Sequence, residues 1–216
     1  MMKPTINCLC GAVSGPVSAT LPAETELCHC NPCRHTTGTL FAGFAELAKP
    51  PTKDTLAECS VYHSSKTHDR LFCATCGTKV FVTAHTYPDG RKRDEWFAHG
   101  GAVEWPEDGE QNQNTLRALT NEWLQDARDG GLGPYMTKLG SRSVPAYFES
   151  SRDQELSKDD IAELLLAAKN RSPPDPSDTL KVECRCGGVS LLLKTADHGM
   201  SSHLEDLPDN ASWGSG

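Results

Sequence analysis

Between residues 12 and 103 apolar and polar positions exchange over short runs instead of recurring at helical spacing. Ala12 to Thr20 alternates, with Val13, Val17 and Ala19 set against Ser14, Ser18 and Thr20, and predicts a half-exposed strand interrupted at Gly15-Pro16. Leu40 to Leu47 predicts a second strand, broken by Lys49-Pro50-Pro51-Thr52. Ser60 to Ser64, Lys79 to Thr83 and Glu95 to Val103 predict further strands, the last around Trp96 and Phe97. Leu21 to Thr25 reads as loop, and Thr36-Thr37-Gly38, Ser65 to Asp69 and Tyr87-Pro88-Asp89-Gly90 read as turns. Several short strands separated by turns predict a small mainly-β domain.

Helical spacing enters later. Leu116, Leu119, Trp123 and Ala127 predict a helix over 116–127, preceded by a polar, acidic loop from Trp105 to Asn114. Asp129 to Pro134 reads as loop. A helix is predicted from Lys158 to Lys169, with Ser157 as its cap, Asp160 in the capping-box position and Ile161, Leu164, Leu165 and Ala168 on its apolar face. Ser172 to Asp178 carries three prolines and reads as a linker. Beyond it, Cys184-Arg185-Cys186-Gly187-Gly188-Val189-Ser190 echoes Cys8-Leu9-Cys10-Gly11-Ala12-Val13-Ser14, the opening of an internal repeat. Asp197 to Gly216 is polar and offers no core. The expected organisation is a domain over 1–150, a helix and Pro-rich linker over 151–178, and an incomplete second repeat over 179–216.

The 216 residues are enough to bury a core, and a net charge of −8 gives no electrostatic footprint for nucleic acid. Met1 to Asn7 lacks the apolar segment of a signal peptide, and no apolar run reaches membrane-spanning length. A soluble, cytoplasmic protein with neither a nucleic-acid nor a membrane partner is expected. In a reducing compartment clustered cysteines are metal ligands or redox groups before they are disulfides.

Seven of the ten cysteines fall in three tight groups: Cys8 and Cys10, then Cys28, Cys30 and Cys33, then Cys73 and Cys76. Gly11 and Gly77 trail the outer pairs and supply the backbone angle that turns a chain behind two thiolates. Four thiolates close a tetrahedral zinc site, whereas three leave a position for water or substrate.

The motifs Cys-x-Cys-Gly-Ala-Val at 8–13, Cys-His-Cys-x-x-Cys-Arg at 28–34 with Gly38, Tyr62-x-Ser64-Ser65, and Arg70-x-Phe72-Cys73-x-x-Cys76-Gly77 resemble the glutathione-dependent formaldehyde-activating enzyme family, whose relatives include centromere protein V. The likeness covers roughly residues 5–150 and starts again at 180. It implies a β-tent fold, mainly β, of antiparallel sheets with zinc knuckles and a few peripheral helices. It implies two Zn2+ ions per chain, one structural on Cys8, Cys10, Cys73 and Cys76 and one catalytic on Cys28, Cys30 and Cys33. Tight knuckles agree with this, since they bring pairs of sulfurs within reach of one metal at about 2.3 Å each.

By the same resemblance the activity is that of a carbon–sulfur lyase or ligase acting on glutathione or another small thiol conjugate, in the manner of S-hydroxymethylglutathione. Three thiolates leave the second zinc with a net charge of −1, a weak Lewis acid suited to holding a substrate thiolate. A zinc-bound water is the alternative chemistry. Arg34 matches the family pattern and is a catalytic candidate that can pair with thiolate charge or a substrate carboxylate; a surface salt bridge is its plainer role. His29, boxed between ligands, is expected to pack or to donate a supporting hydrogen bond, and His35 is a weak acid/base candidate. Lys66, His68 and Arg70 are candidates for a glutathione carboxylate. Cys59 has no partner at ligand spacing and reads as a small buried residue. A non-catalytic, zinc-stabilised interaction module is the competing class, and a methionine sulfoxide reductase using Cys59 ranks last. The sequence does not specify an oligomeric state.

Overall fold

The structure, a computed structural model, describes residues 4–19, 23–87, 89–104, 116–127, 131–170, 179–184 and 186–194. The loop expected over 105–114, the linker over 172–178 and the tail from 197 lie outside the described residues. The chain divides into two units, Met1–Lys169 and Asn170–Gly216.

In the first unit a three-stranded sheet joins β2 (Ser14–Pro16), β1 (Thr5–Asn7) and β9 (Val103–Glu104), with β1 at its centre. A seven-stranded sheet runs in the order β10 (Leu116–Glu122), β3 (Ala23–Cys28), β4 (Ala42–Leu47), β8 (Lys92–His99), β7 (Lys79–Thr86), β6 (His68–Cys73), β5 (Cys59–His63). Its pairings are antiparallel except β10 with β3, which is parallel. β7 is buried over Val80 to Ala84 on both faces, which explains its unbroken apolar run. The two-stranded β11 (Lys138–Leu139) and β12 (Arg142–Ser143) stand apart. The fold is mainly β, as expected.

One core gathers Ile6 of β1 and Val13 and Val17, which flank β2, with Leu47, Leu71, Val80, Phe81 and Ala98 from the large sheet. Cys8 and Cys73 belong to the same cluster, so the outer cysteine pairs are anchored in the core. A second cluster packs Leu124, Ala146 and Leu156 against Ile161 and Leu164 of α3 (Lys158–Lys169). The cap of α3 is as predicted: Ser157 Oγ accepts from Asp160 N at 3.1 Å while Ser157 N donates to Asp160 Oδ2 at 2.8 Å.

Several expectations are corrected. Residues 116–122 form a strand, not a helix, because the edge of β3 satisfies their backbone groups from Leu116↔Ala23 to Glu122↔Cys28. Only a short 3₁₀ turn, Leu124–Asp126, follows. Gly15-Pro16 does not interrupt a strand; it is part of β2, at a sheet edge where the missing proline N–H is harmless. The loop expected over 21–25 gives way at Ala23 to β3. The predicted strand over 95–103 ends at His99, and Gly100–Ala102 makes a 3₁₀ turn before β9. Thr36 and Thr37 close helix α1 (Asn31–Thr37), and the Pro50-Pro51 break is followed by a one-turn helix α2 (Lys53–Ala57), capped by Thr52.

The second unit holds the hairpin β13 (Thr179–Glu183) and β14 (Ser190–Lys194), paired from Thr179↔Lys194 to Glu183↔Ser190.

Candidate metal centre

The outer cysteine pairs converge. Gly11 and Gly77, at φ 78° and 74°, return their N–H groups to the Cys8 and Cys73 carbonyls, each at 3.0 Å. Val13 N donates to Cys8 Sγ at 3.2 Å and Cys76 N to Cys73 Sγ at 3.5 Å, bonds that favour thiolate over thiol. Thr78 couples the knuckles: its hydroxyl accepts from Leu9 N at 3.2 Å and lies 3.2 Å from Cys76 Sγ, and that contact leads in drawing the Cys76 thiol down to about 5. The four sulfurs lie within 4.8 Å of one another, with Cys8–Cys10 at 3.5 Å and Cys10–Cys73 at 3.7 Å. A tetrahedron with metal–sulfur bonds of about 2.3 Å requires sulfurs roughly 3.8 Å apart. The donor set fits zinc.

The inner group is built differently. Cys28 ends β3, Cys30 is the N-cap of α1 and Cys33 faces inward from its first turn. Pro32 occupies that first turn, where no N–H is required, so it starts a helix where the sequence suggested a stiff turn. Cys30 Sγ accepts from Cys33 N at 3.4 Å, and Gly38, at φ 69°, closes the helix by donating to Arg34 O at 2.8 Å. The three sulfurs also lie within 4.8 Å of one another, and no fourth His, Cys, Asp or Glu joins them among the described residues. Hydrogen bonds from Cys28 and Cys30, then the Arg70 guanidinium, bring the Cys33 thiol down to about 2, while its two neighbours push Cys28 far up. Three sulfurs this close ionise together only around a cation. This donor set also fits a soft divalent metal.

The large sheet supplies the wall beside Cys33. Arg70 on β6 is buried and directs Nη2 to Cys33 Sγ at 3.5 Å, while its Nε and Nη1 have no hydrogen-bond partner among the described residues. His99 at the end of β8 is buried beside Phe44, ring centroids 4.8 Å apart, with Nε2 unpartnered among the described residues. Burial, then Arg70, lowers its pKa to about 4, so it is a neutral imidazole at neutral pH. His68 is likewise held below its usual range by burial, then by Arg93, whose Nη2 lies 3.1 Å from its Nε2.

The opposite side is held by β10. His29 is wholly buried: its N donates to Glu122 O at 2.9 Å and its Nε2 meets Asn121 Oδ1 at 3.1 Å, the supporting role expected of it. Asn121 Nδ2 donates in turn to Met136 O at 3.0 Å. Trp123, in a left-handed conformation at φ 65°, swings the chain so that Asp126 Oδ2 accepts from Asn31 N at 2.9 Å. Sequence reasoning missed His99, Asn121 and Asp126; Arg70, weighed only as a carboxylate contact, touches a thiol. Arg34 is half-buried on α1 and its charge helps keep His29 neutral, after burial itself. His35 is exposed. Cys59 donates to Thr55 O at 3.5 Å, and burial pushes its thiol up to about 11, the reverse of an activated nucleophile.

Residues 3–116 match the family described as glutathione-dependent formaldehyde-activating enzyme. The chain belongs to this family. Over 85 residues it is 32% identical to an uncharacterized lyase of Schizosaccharomyces pombe, a match covering 39% of this chain and 58% of that protein, so the chain spans little more than half of this relative. A crystal structure of a Rhodobacter sphaeroides protein aligns at 20% identity and a TM-score of 0.37, over 53% of this chain and 99% of that one. No helix among the described residues is long and apolar enough to cross a membrane.

Proposed function

We propose that this family member is a carbon–sulfur lyase acting on adducts of glutathione or another small thiol, with its reaction centre at Cys28, Cys30 and Cys33. The observation that carries the reading is the contrast between two clusters in one domain, four converging sulfurs and three. In this reading Cys8, Cys10, Cys73 and Cys76 hold a closed structural zinc. Cys28, Cys30 and Cys33 would hold a second zinc. When bound, that metal supplies a soft acceptor that keeps a thiol deprotonated at neutral pH.

The protein's own groups do the rest. Arg70 offsets the thiolate charge and keeps two N–H directions available for a substrate oxygen or carboxylate. Cleavage of a hydroxymethyl thioether sends the carbon–sulfur pair to sulfur, turns the carbinol C–O into a carbonyl and releases the hydroxyl proton. Neutral His99, with a buried unpartnered Nε2, is the acceptor for that proton. Addition runs the same transfers backwards. A reducing compartment such as the cytoplasm, where clustered cysteines serve as metal ligands, belongs to this reading. Residues 1–150 form the catalytic domain in this reading, and the hairpin of β13 and β14 repeats its opening hairpin.

Metal analysis and exchange NMR test it together. Two zincs in the first unit, one of them exchangeable, and glutathione–formaldehyde exchange above the spontaneous rate are expected; C33S loses the exchangeable zinc and the catalysis. One zinc with Cys28, Cys30 and Cys33 open to alkylation would instead favour a non-catalytic module.

A further inference from the structure

Cys184 and Cys186 belong to neither cluster, yet their knuckle reproduces that of Cys8 and Cys10 bond for bond. Gly187, at φ 74°, donates to Cys184 O at 2.9 Å, where Gly11 donates to Cys8 O at 3.0 Å. Cys184 N donates to Val189 O at 3.0 Å, where Cys8 N donates to Val13 O at 2.9 Å. Val189 N donates to Cys184 Sγ at 3.2 Å, the same as Val13 N to Cys8 Sγ. The sulfur pairs are 3.4 Å and 3.5 Å apart. The hairpins share one register: Thr5↔Pro16, Ile6↔Gly15 and Asn7↔Ser14 correspond to Lys181↔Leu192, Val182↔Leu191 and Glu183↔Ser190. The second unit therefore presents half of a closed thiolate site, already shaped.

We propose that this half-site is completed by the same hairpin of a second copy of the chain, the two Cys184/Cys186 pairs enclosing one zinc ion across a twofold axis. Two thiolates do not close a tetrahedron, so the pair needs two further ligands. Four of the chain's ten cysteines form the first cluster and three the second, which leaves Cys59 alone, bonded to Thr55 O beside the first unit's core. A second copy brings two sulfurs in the same geometry, and a twofold contact is self-complementary by construction.

The apolar side chains of the hairpin point the same way. Ile6, Val13 and Val17 are 0%, 0% and 5% exposed in the first unit, while their counterparts Val182, Val189 and Leu193 are 46%, 56% and 48% exposed. Val182 pairs with Leu191 and shares a face with Leu193, whereas Lys181 and Glu183 pair with each other at 2.9 Å on the other face. A lone two-stranded hairpin is marginal in water, so covering this face and binding the metal stabilise the unit together. Without metal nothing bonds the four sulfurs to one another, which makes the assembly metal-dependent.

Sedimentation of the full chain during zinc titration tests this, with Co2+ as a spectroscopic substitute. Once the first-unit sites are filled, one further metal per two chains is expected to bind as monomer converts to dimer, with a four-thiolate Co2+ spectrum. C184S/C186S should lose that metal and remain monomeric while its first-unit metal content is unchanged. L191K, which keeps the thiolates, should weaken the dimer by about tenfold or more. A chain that stays monomeric in excess zinc, a dimer that survives C184S/C186S, or a further metal bound by each monomer would overturn the proposal. An L191K dimer as tight as the wild type would remove the apolar face from it. The first-unit zinc count is read in the same titration, so failure of the lyase reading is scored separately.

Discussion

Replacing Arg70 by glutamine removes the positive charge beside the inner cysteines while keeping a polar side chain of moderate length. The guanidinium lies 3.5 Å from Cys33 Sγ. At an effective dielectric near 20, opposite unit charges at that distance attract by roughly 5 kcal/mol. The net effect is smaller, because the variant no longer buries a guanidinium with two unpartnered nitrogens. Partners that support metal ligands typically contribute a factor of about 10–100 in affinity, or roughly 1.4–2.8 kcal/mol. If the inner cysteines hold the exchangeable zinc proposed for them, R70Q should therefore weaken it by about that factor. The zinc proposed for the outer cysteines should be unaffected, since Arg70 points to Cys33. Competition with a chromophoric chelator resolves the two classes, and R70K, which restores charge without the planar fork, should recover part of the loss. Equal weakening of both classes would mean that Arg70 supports the fold as a whole. A shift smaller than about threefold would refute the electrostatic argument.

Other substitutions probe the supporting parts. N121A leaves His29 Nε2 and Met136 O without their partner in a buried site and should lower unfolding free energy by about 2–4 kcal/mol in denaturant titration. F81A opens the wholly buried centre of the core and should cost about 3–5 kcal/mol by the same measurement. S157A should cost about 1 kcal/mol through loss of the α3 cap, with the exchangeable zinc unchanged. His99 carries a pH signature: its folded pKa near 4 lies below the usual 6.5, so the unfolded chain binds the extra proton between them. Its contribution, about 3 kcal/mol, is complete above pH 6.5 and lost as pH falls towards 4. H99Q should show a correspondingly shallower acid dependence of stability, and identical slopes would count against a buried neutral imidazole.

The candidate metal-binding cysteines were legible because their signals are local. A Cys-x-Cys-Gly or Cys-x-x-Cys-Gly knuckle is closed by bonds within six residues, so Gly11 and Gly77 announce the turn and the spacing announces the sulfurs. The capping box of α3 spans Ser157 to Asp160 and is legible for the same reason. Strands with an apolar run or a single buried face, such as β4 and β7, follow from period and composition.

What the sequence left open depends on partners far away along the chain. Leu116–Glu122 carries helical spacing, but β3 offers it a free edge ninety-odd residues upstream, and backbone pairing there outweighs a weak local propensity. That choice puts Asn121 and Asp126 against His29 and Asn31, which no local pattern indicates. Arg70 sits two residues from Phe72 in a motif recognised for its cysteines, yet only the sheet shows that it faces Cys33. His99 ends a strand with no distinguishing neighbour, and its neutrality is a property of burial. Local bonding fixed the sulfur knuckles; long-range packing decided which charges and which unpartnered nitrogens stand beside them.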